Sequence, residues 1–238
     1  MSVAIEFTSK SSVERYAEGV TAEELQLRPV LLELVGNVQE KTIWDVGCGD
    51  GRYSVIFAAN GATVIATDFS AHQIDIAKQK HAHQNVTYSV GDISTGETEP
   101  ASVDIAFANL VIPSLGSAEK LLELIKSVRK ILKPDGRFIF SVLHPLYLVS
   151  DQDGFDNAVD FDPRNYFAEG SSFRAEAQTN AGNTMVFDET HFSLSYISRL
   201  LKDEGFAIQS LVESKQIPEK QMFLPKYLVF ECTRTSAS

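Results

Sequence analysis

The chain has 238 residues, of which 44% are hydrophobic, and a formal net charge of −11. That suffices for a substantial core in one domain of ordinary size, or in a core domain with an elaborated cap. The acidic balance speaks against nucleic acid as a partner, because phosphate binding needs clustered positive charge.

No run of about eighteen apolar residues marks a membrane span. The start, Met1 to Glu6, lacks the basic-then-apolar pattern of a signal peptide. The two cysteines, Cys48 and Cys232, make no disulfide framework, so a reducing cytoplasm is the expected compartment.

In chain order, residues 11–36 carry a helical apolar face that Pro29 divides in two. Ile43 to Val46 is an apolar run that ends in the glycine turn 47–51, and Arg52–Ala59 reads as a helix. Ala62–Thr67 reads as a strand ending at Asp68, and Ala71–Ala82 as a helix with His72, His81 and His83 on its solvated side. Val86–Val90 and Val103–Ala108 read as further strands. Ala118–Leu132 is an amphipathic helix stopped by Lys133-Pro134-Asp135-Gly136, with a fifth strand over Arg137–Leu143. Short apolar strands alternating with helices indicate a parallel sheet covered on both faces.

From Pro145 to Glu189 this rhythm breaks into what reads as a long functional loop. It holds Tyr147, Phe155, Phe161, Tyr166, Phe167, Phe173 and Phe187, with nine acidic residues against Arg164 and Arg174. A helix over 193–204 then leads into a final strand pair, Phe206–Glu213 and Tyr227–Cys232.

The stretch Asp45-Val46-Gly47-Cys48-Gly49-Asp50-Gly51 carries the most chemistry. Glycines let the chain turn sharply off a strand and expose backbone N–H groups to a ligand. A dinucleotide loop would place a third glycine at position 52, where Arg52 stands, and Asp45 would repel a pyrophosphate. The loop suits a ligand without phosphates.

Five segments in register resemble class I S-adenosylmethionine-dependent methyltransferases of the broad type 11 group, small-molecule enzymes similar to those of quinone biosynthesis. They are Asp45–Gly51, Val64–Ser70, Val90–Ile93, Ser102–Asn109 and Ile131–Phe138. The resemblance implies a doubly wound, Rossmann-like α/β fold with a seven-stranded, mostly parallel sheet in the order 3-2-1-4-5-7-6. It implies one domain, with an N-terminal helical lid (1–38), a cofactor-binding half (39–143), a substrate cap (144–190) and a C-terminal helix and strand pair (191–238).

The resemblance also implies S-adenosylmethionine as cofactor. Gly47, Cys48 and Gly49 would approach its amino-acid part, with Asp45 helping to hold the ammonium. Asp68, 23 positions on from Asp45, would accept the ribose hydroxyls. Phe69 would stack beside the adenine, and Gly91, Asp92 and Ile93 would hold its edge and face. Asn109, Leu110 and Val111 would line the floor, with Tyr16 and Arg28 closing from the N-terminal side. Read without the resemblance, Asp68 also serves as a helix cap, Asp92 as a turn residue, Phe69 as core and Cys48 as a small turn residue.

His144, just beyond the fifth strand, is a candidate general base, and equally a residue that hydrogen-bonds the backbone and shapes the His-Pro turn. His191 is a second candidate, with a structural role favoured. No metal-ligand spacing occurs, and the loop from Asp151 lacks the closing glutamate of a calcium site. Tyr147, Tyr166 and Phe167 are expected to enclose the acceptor.

The expected function is methyl transfer to oxygen or nitrogen of a small molecule, by a cytoplasmic monomer or homodimer without nucleic acid, membrane or metal partners. The competing expectations are a non-catalytic cofactor-binding protein and an NAD-dependent oxidoreductase.

Overall fold

A computed structural model describes residues 4–5, 19–92, 101–149, 156–158, 160–220 and 222–235. Tyr16, Ile93, Phe155 and the acidic stretch from Asp151 lie outside the described residues. The first strands are β1 (Ala4–Ile5), β2 (Thr42–Val46), β3 (Thr63–Asp68), β4 (Val86–Val90), β5 (Val103–Ala108) and β6 (Leu132–Leu143). Then follow β7 (Asp156–Ala158), β8 (Ser171–Gln178), β9 (Thr184–His191), β10 (Phe206–Glu213) and β11 (Tyr227–Arg234). The helices are α1 (Arg28–Val35), α2 (Arg52–Ala59), α3 (Ala71–Lys80), α4 (Ala118–Ile131), α5 (Pro145–Val149) and α6 (Leu194–Asp203).

Seven strands form the main sheet, in the spatial order β10-β11-β6-β5-β2-β3-β4. Numbered by their own sequence order and read from the other edge, this is 3-2-1-4-5-7-6, the order that the resemblance implies. Strands β2 to β6 pair in parallel, and β11 runs antiparallel to β6 and β10.

Side-chain alternation along the strands divides the core into two layers. Ile43, Ile105, Phe107 and Ile139 pack with residues of α1, α2 and α3 on one face. Trp44, Val46, Phe138 and Phe140 pack with α4 and α6 on the other. The second layer is anchored by Phe140 stacked on Phe230, with ring centroids 4.7 Å apart. Trp44, buried in the same layer, still satisfies its indole N–H with Thr67 Oγ1 at 3.0 Å.

Four sequence expectations change. The segment from Pro145 is no loop: it forms α5 and three strands of a second sheet, in the order β1-β9-β8-β7. Lys133 to Gly136 do not end an element. They swell β6 outward between its pairings with Val103 and Ile105, and Lys133 Nζ reaches Asp104 Oδ2 at 2.9 Å. Pro29 stands in the first turn of α1, directly after a π-helical turn, Glu23–Leu27, so the break is a change of helical pitch. His81 is not solvated on a helix face: it follows α3, and its Nδ1 lies 2.7 Å from the Asp50 carbonyl oxygen.

The second sheet is tied down at both ends. Asn180 Nδ2 donates to Glu24 Oε2 (2.7 Å), and Gly116 N–H donates to Thr190 Oγ1 (2.9 Å). It therefore covers the carboxyl end of the main sheet near β5 and β6.

Replacing Phe140 with alanine removes a fully buried ring and leaves a cavity against Phe230. Chemical denaturation should show a loss of about 3–5 kcal/mol.

Candidate active site

Strand β2 stops at Val46, and the chain turns off the sheet through Gly47, Gly49 and Gly51, with φ of 62°, 56° and 82°. At Gly47 the need for glycine is twofold. A Cβ there would lie 2.6 Å from Val111 Cγ2, and the left-handed backbone itself costs an L-residue about 1–2 kcal/mol. At Gly51 a Cβ would meet the Tyr88 hydroxyl at 2.5 Å. The turn is bound to the neighbouring strand, since Cys48 N–H donates to the Thr67 carbonyl oxygen at 3.0 Å. Arg52 is held by the loop's own Asp50, donating to both its oxygens at 2.9 Å, and reaches Glu24 Oε1 at 3.4 Å.

Asp68, at the end of β3, accepts from Gly49 N–H (2.9 Å) through one oxygen and from Ser70 N–H (2.8 Å) through the other. It is not the cap of α3: Ser70 is, accepting from Gln73 N–H. Burial raises the Asp68 carboxyl above its ordinary range, with the two backbone N–H bonds opposing. Each Asp68 oxygen keeps acceptor capacity for a further donor.

A cavity of about 200 Å³ lies against this turn. Gly47 and Gly49 line it after β2, and Asp68, Phe69 and Gln73 after β3. Gly91 and Asp92 follow β4, and Asn109, Leu110 and Val111 follow β5. Phe69 is 56% exposed and forms part of the wall, so it is not core. Gln73 is buried, yet neither its amide nitrogen nor its amide oxygen has a hydrogen-bond partner among the described residues. Burying an amide unpaired is unfavourable by about 1–3 kcal/mol, so a polar group brought by a ligand would be favoured at this wall. Carboxylates, amides and an aromatic face line the cavity, with Lys120 as its one lining cation among the described residues. Those groups fit a hydroxyl-bearing nucleoside without phosphates.

Asn109 fixes the floor. Its Oδ1 accepts from Ser141 Oγ (2.7 Å), and its Nδ2 donates to Glu23 Oε1 (3.0 Å), which also accepts from the Tyr53 hydroxyl (2.9 Å). Leu110 has φ of 54° and donates its N–H to Ser141 Oγ at 2.9 Å. Beyond Leu110 and Ser114, which line both, lies a second cavity of about 60 Å³. Its walls include Glu23, Tyr147 and Lys226 from the main fold and Ala175, Phe187 and Glu189 from the second sheet.

The structure thus brings Gly47, Gly49, Asp68, Phe69, Gly91, Asp92, Asn109 and Leu110 to one cavity and Tyr147 to the next. Asp45 is buried with its carboxyl receiving the Ser54 hydroxyl at 2.5 Å. Cys48 is a free, buried thiol, pushed well up in pKa first by burial and then by Asp45, Asp68 and Asp50. Arg28 pairs with Glu24 Oε1 at 2.9 Å, with its guanidinium carbon 5.8 Å from the Tyr53 ring centroid.

His144 lines neither of these two cavities. Its Nδ1 accepts from Leu146 N–H (3.0 Å), which leaves the ring proton on Nε2, 3.2 Å from Glu213 Oε1. His191 is buried with Nε2 2.8 Å from the Tyr166 carbonyl oxygen, and burial lowers its pKa. Tyr166 packs against His191, and Phe167 is 75% exposed; neither lines either cavity.

Sequence reasoning missed Glu23, Gln73 and Glu189. For Gln73 a signal existed, a polar residue beside Ile74 and Ala77 in the inward stripe of α3.

No helix among the described residues is long and apolar enough to cross a membrane. Among the described residues, no group of three or more His, Cys, Asp or Glu is placed to hold a metal ion.

Residues 44–140 match the methyltransferase-domain family. The chain is 29% identical over 167 residues to the biotin biosynthesis bifunctional protein BioHC of Cellvibrio japonicus, covering 70% of this chain and 32% of that protein. It is 30% identical over 124 residues to the ubiquinone biosynthesis O-methyltransferase of Coxiella burnetii, covering 50% of this chain and 51% of that one. The chain therefore spans a third to a half of the length of these curated relatives. A crystal structure from Listeria monocytogenes, provisionally assigned as an S-adenosylmethionine-dependent methyltransferase, superposes with a TM-score of 0.68 at 26% identity. It covers 88% of this chain and 96% of its own.

Gly47→Ala should lower stability by at least about 1–2 kcal/mol in denaturant titration, from the backbone conformation alone. The added contact with Val111 makes Val111→Ala a partial suppressor.

The Asp45 carboxyl is raised to about 7, chiefly by burial, with the Ser54 bond opposing and Asp68 and Asp50 adding. A carboxyl raised on folding contributes stability below its unfolded pKa, and this is lost as pH climbs through the folded value. Asp45→Asn should therefore flatten the decline in melting temperature between about pH 4 and pH 8. An unchanged slope would show that Asp45 ionises normally.

Proposed function

Because the chain belongs to the class I S-adenosylmethionine-dependent methyltransferases of the type 11 group, we propose that it transfers a methyl group to oxygen or nitrogen of a small molecule. One observation carries this reading. The cavity at the glycine turn adjoins a second, separately lined cavity at Leu110 and Ser114, so donor and acceptor each have a place. The cofactor is S-adenosylmethionine, which supplies a methyl carbon on a sulfonium.

The residues divide the work of holding it. The backbone at Gly47 and Gly49 admits the amino-acid part at close range. Asp68 accepts the two ribose hydroxyls with the lone pairs its backbone bonds leave unused. Phe69 stacks on the adenine, Asp92 accepts from the adenine amino group, and the Gln73 amide gains the partner it lacks among the described residues.

Asn109 and Leu110, fixed by Ser141, hold the floor between donor and acceptor. Positioning and exclusion of water can supply up to about 7–11 kcal/mol for such a displacement. His144 stands outside both cavities with both ring nitrogens engaged, so the reading gives it the turn after β6 rather than a proton-transfer step.

Calorimetry with S-adenosylhomocysteine tests the first half. Micromolar binding is expected, and Asp68→Ala should weaken it by about 1.5–3 kcal/mol, ten- to more than a hundredfold. Transfer of labelled methyl into a metabolite panel tests the second. An Asp68→Ala protein that binds as tightly as the wild type would remove the assignment of the ribose site.

A further inference from the structure

Strand β9 turns one edge of its pleat inward. Opposite Phe173 and Ala175 of β8 stand Glu189 and Phe187, so a carboxyl occupies a place in an otherwise apolar face. Phe173 and Ala175 are buried, and Glu189 Oε2 is closed to solvent with no hydrogen-bond partner among the described residues. Such an oxygen is unfavourable unless something donates to it. Glu189 borders the cavity that adjoins the cofactor site.

The surroundings narrow what that donor is. Glu23 lines the same cavity as Glu189, and Lys226 is its lining cation among the described residues, with Nζ 5.9 Å from the Tyr147 ring centroid. Tyr147, Phe187 and Tyr227 supply the apolar remainder. A cationic guest lets the Glu189 carboxyl ionise beside it, which an anion opposes. At about 60 Å³ the space holds a charged head and its first carbons.

We propose that this second cavity binds the methyl acceptor through an amino group held at Glu189, making the acceptor a small aliphatic amine. The proposal rests on the methyl-transfer reading and chooses nitrogen within it. Burial, with a smaller contribution from Asp188, raises the Glu189 carboxyl to about 8, so the empty site is largely protonated at neutral pH. An amine arriving as ammonium displaces that proton to solvent and pairs with the carboxylate, which then takes one proton from the bound ammonium and so frees the nitrogen lone pair that methyl transfer requires. An alcohol brings no charge to pair with, and a carboxylic acid meets repulsion.

The test uses the full chain labelled with carboxyl-13C glutamate, the Glu189 resonance being assigned by its loss in Glu189→Gln. At pH 7, propylamine should move this resonance to the carboxylate position, while 1-propanol and propionate leave it in place. Calorimetry on protein loaded with S-adenosylhomocysteine should show propylamine binding weakened at least tenfold in Glu189→Gln, with S-adenosylhomocysteine affinity within twofold of wild type.

A resonance unmoved by propylamine, or equal propylamine affinity in the variant, overturns the proposal. Failure of the wild type to load S-adenosylhomocysteine instead overturns the methyl-transfer reading. The amine titration, run on unloaded protein, then still decides the role of Glu189.

Discussion

The hydrogen bond from Gly49 N–H to the Asp68 carboxylate joins the ends of β2 and β3, and the cofactor cavity depends on it. It forms only because the chain leaves β2 with positive φ at Gly47 and Gly49, which turns their backbone toward the neighbouring strand. Cys48 N–H, bonded to the Thr67 carbonyl oxygen, makes a second tie one residue away. These two bonds hold the loop open against β3. They also aim the remaining lone pairs of Asp68 at the same hollow that the loop borders. The ligand-facing chemistry is thus fixed by backbone geometry before any long side chain is placed.

That arrangement has a cost in buried acid. Asp45, Asp68, Glu23 and Glu189 are all raised in pKa mainly by burial, and each has a different answer to it. Asp45 takes the Ser54 hydroxyl, and Asp68 takes two backbone N–H groups. Glu23 collects the Tyr53 hydroxyl and the Asn109 amide, with the charges of Arg52 and Arg28 nearby. Among the described residues, Glu189 alone of these four has a closed-off oxygen without a donor. Where compensation is complete, the acid holds the scaffold together. Where it is incomplete, an incoming ligand has something to complete.

Much of this was legible in the sequence, for a physical reason. Val86–Val90 and Val103–Ala108 begin and end where the apolar runs do, because turns punctuate both ends. Site residues at or just past the end of a strand, such as Asp68, Asp92 and Asn109, could be found by position alone. The second sheet could not. Its strands alternate small, polar and aromatic residues, as in Ser171–Gln178, and it forms only through pairing with segments distant in the chain. Lys133 to Gly136 carry a strong turn signal, but β6 absorbs them as a swelling because Leu132 is buried and pairs with Val103. Glu189 and Gln73 gain their meaning from which face they turn inward, and sequence spacing alone does not decide that.

The boundary between the two cavities shows why one short segment matters to both. Leu110 adopts a left-handed conformation that a leucine rarely takes. Ser141 holds it there by accepting the Leu110 N–H while donating its own hydroxyl to Asn109. Asn109 in turn reaches Glu23, which borders the second cavity. The wall therefore belongs to one hydrogen-bonded chain running from the cofactor floor to the acceptor side. Val111, the next residue, packs on Gly47 and closes that chain back onto the glycine turn. A shift of the loop would be felt at Val111, then at the Leu110 backbone, and so at the surface where the acceptor meets the donor. The strained residue stands where a loose wall would let the two ligands drift apart, and two-point anchoring at Ser141 is what makes the strain tolerable.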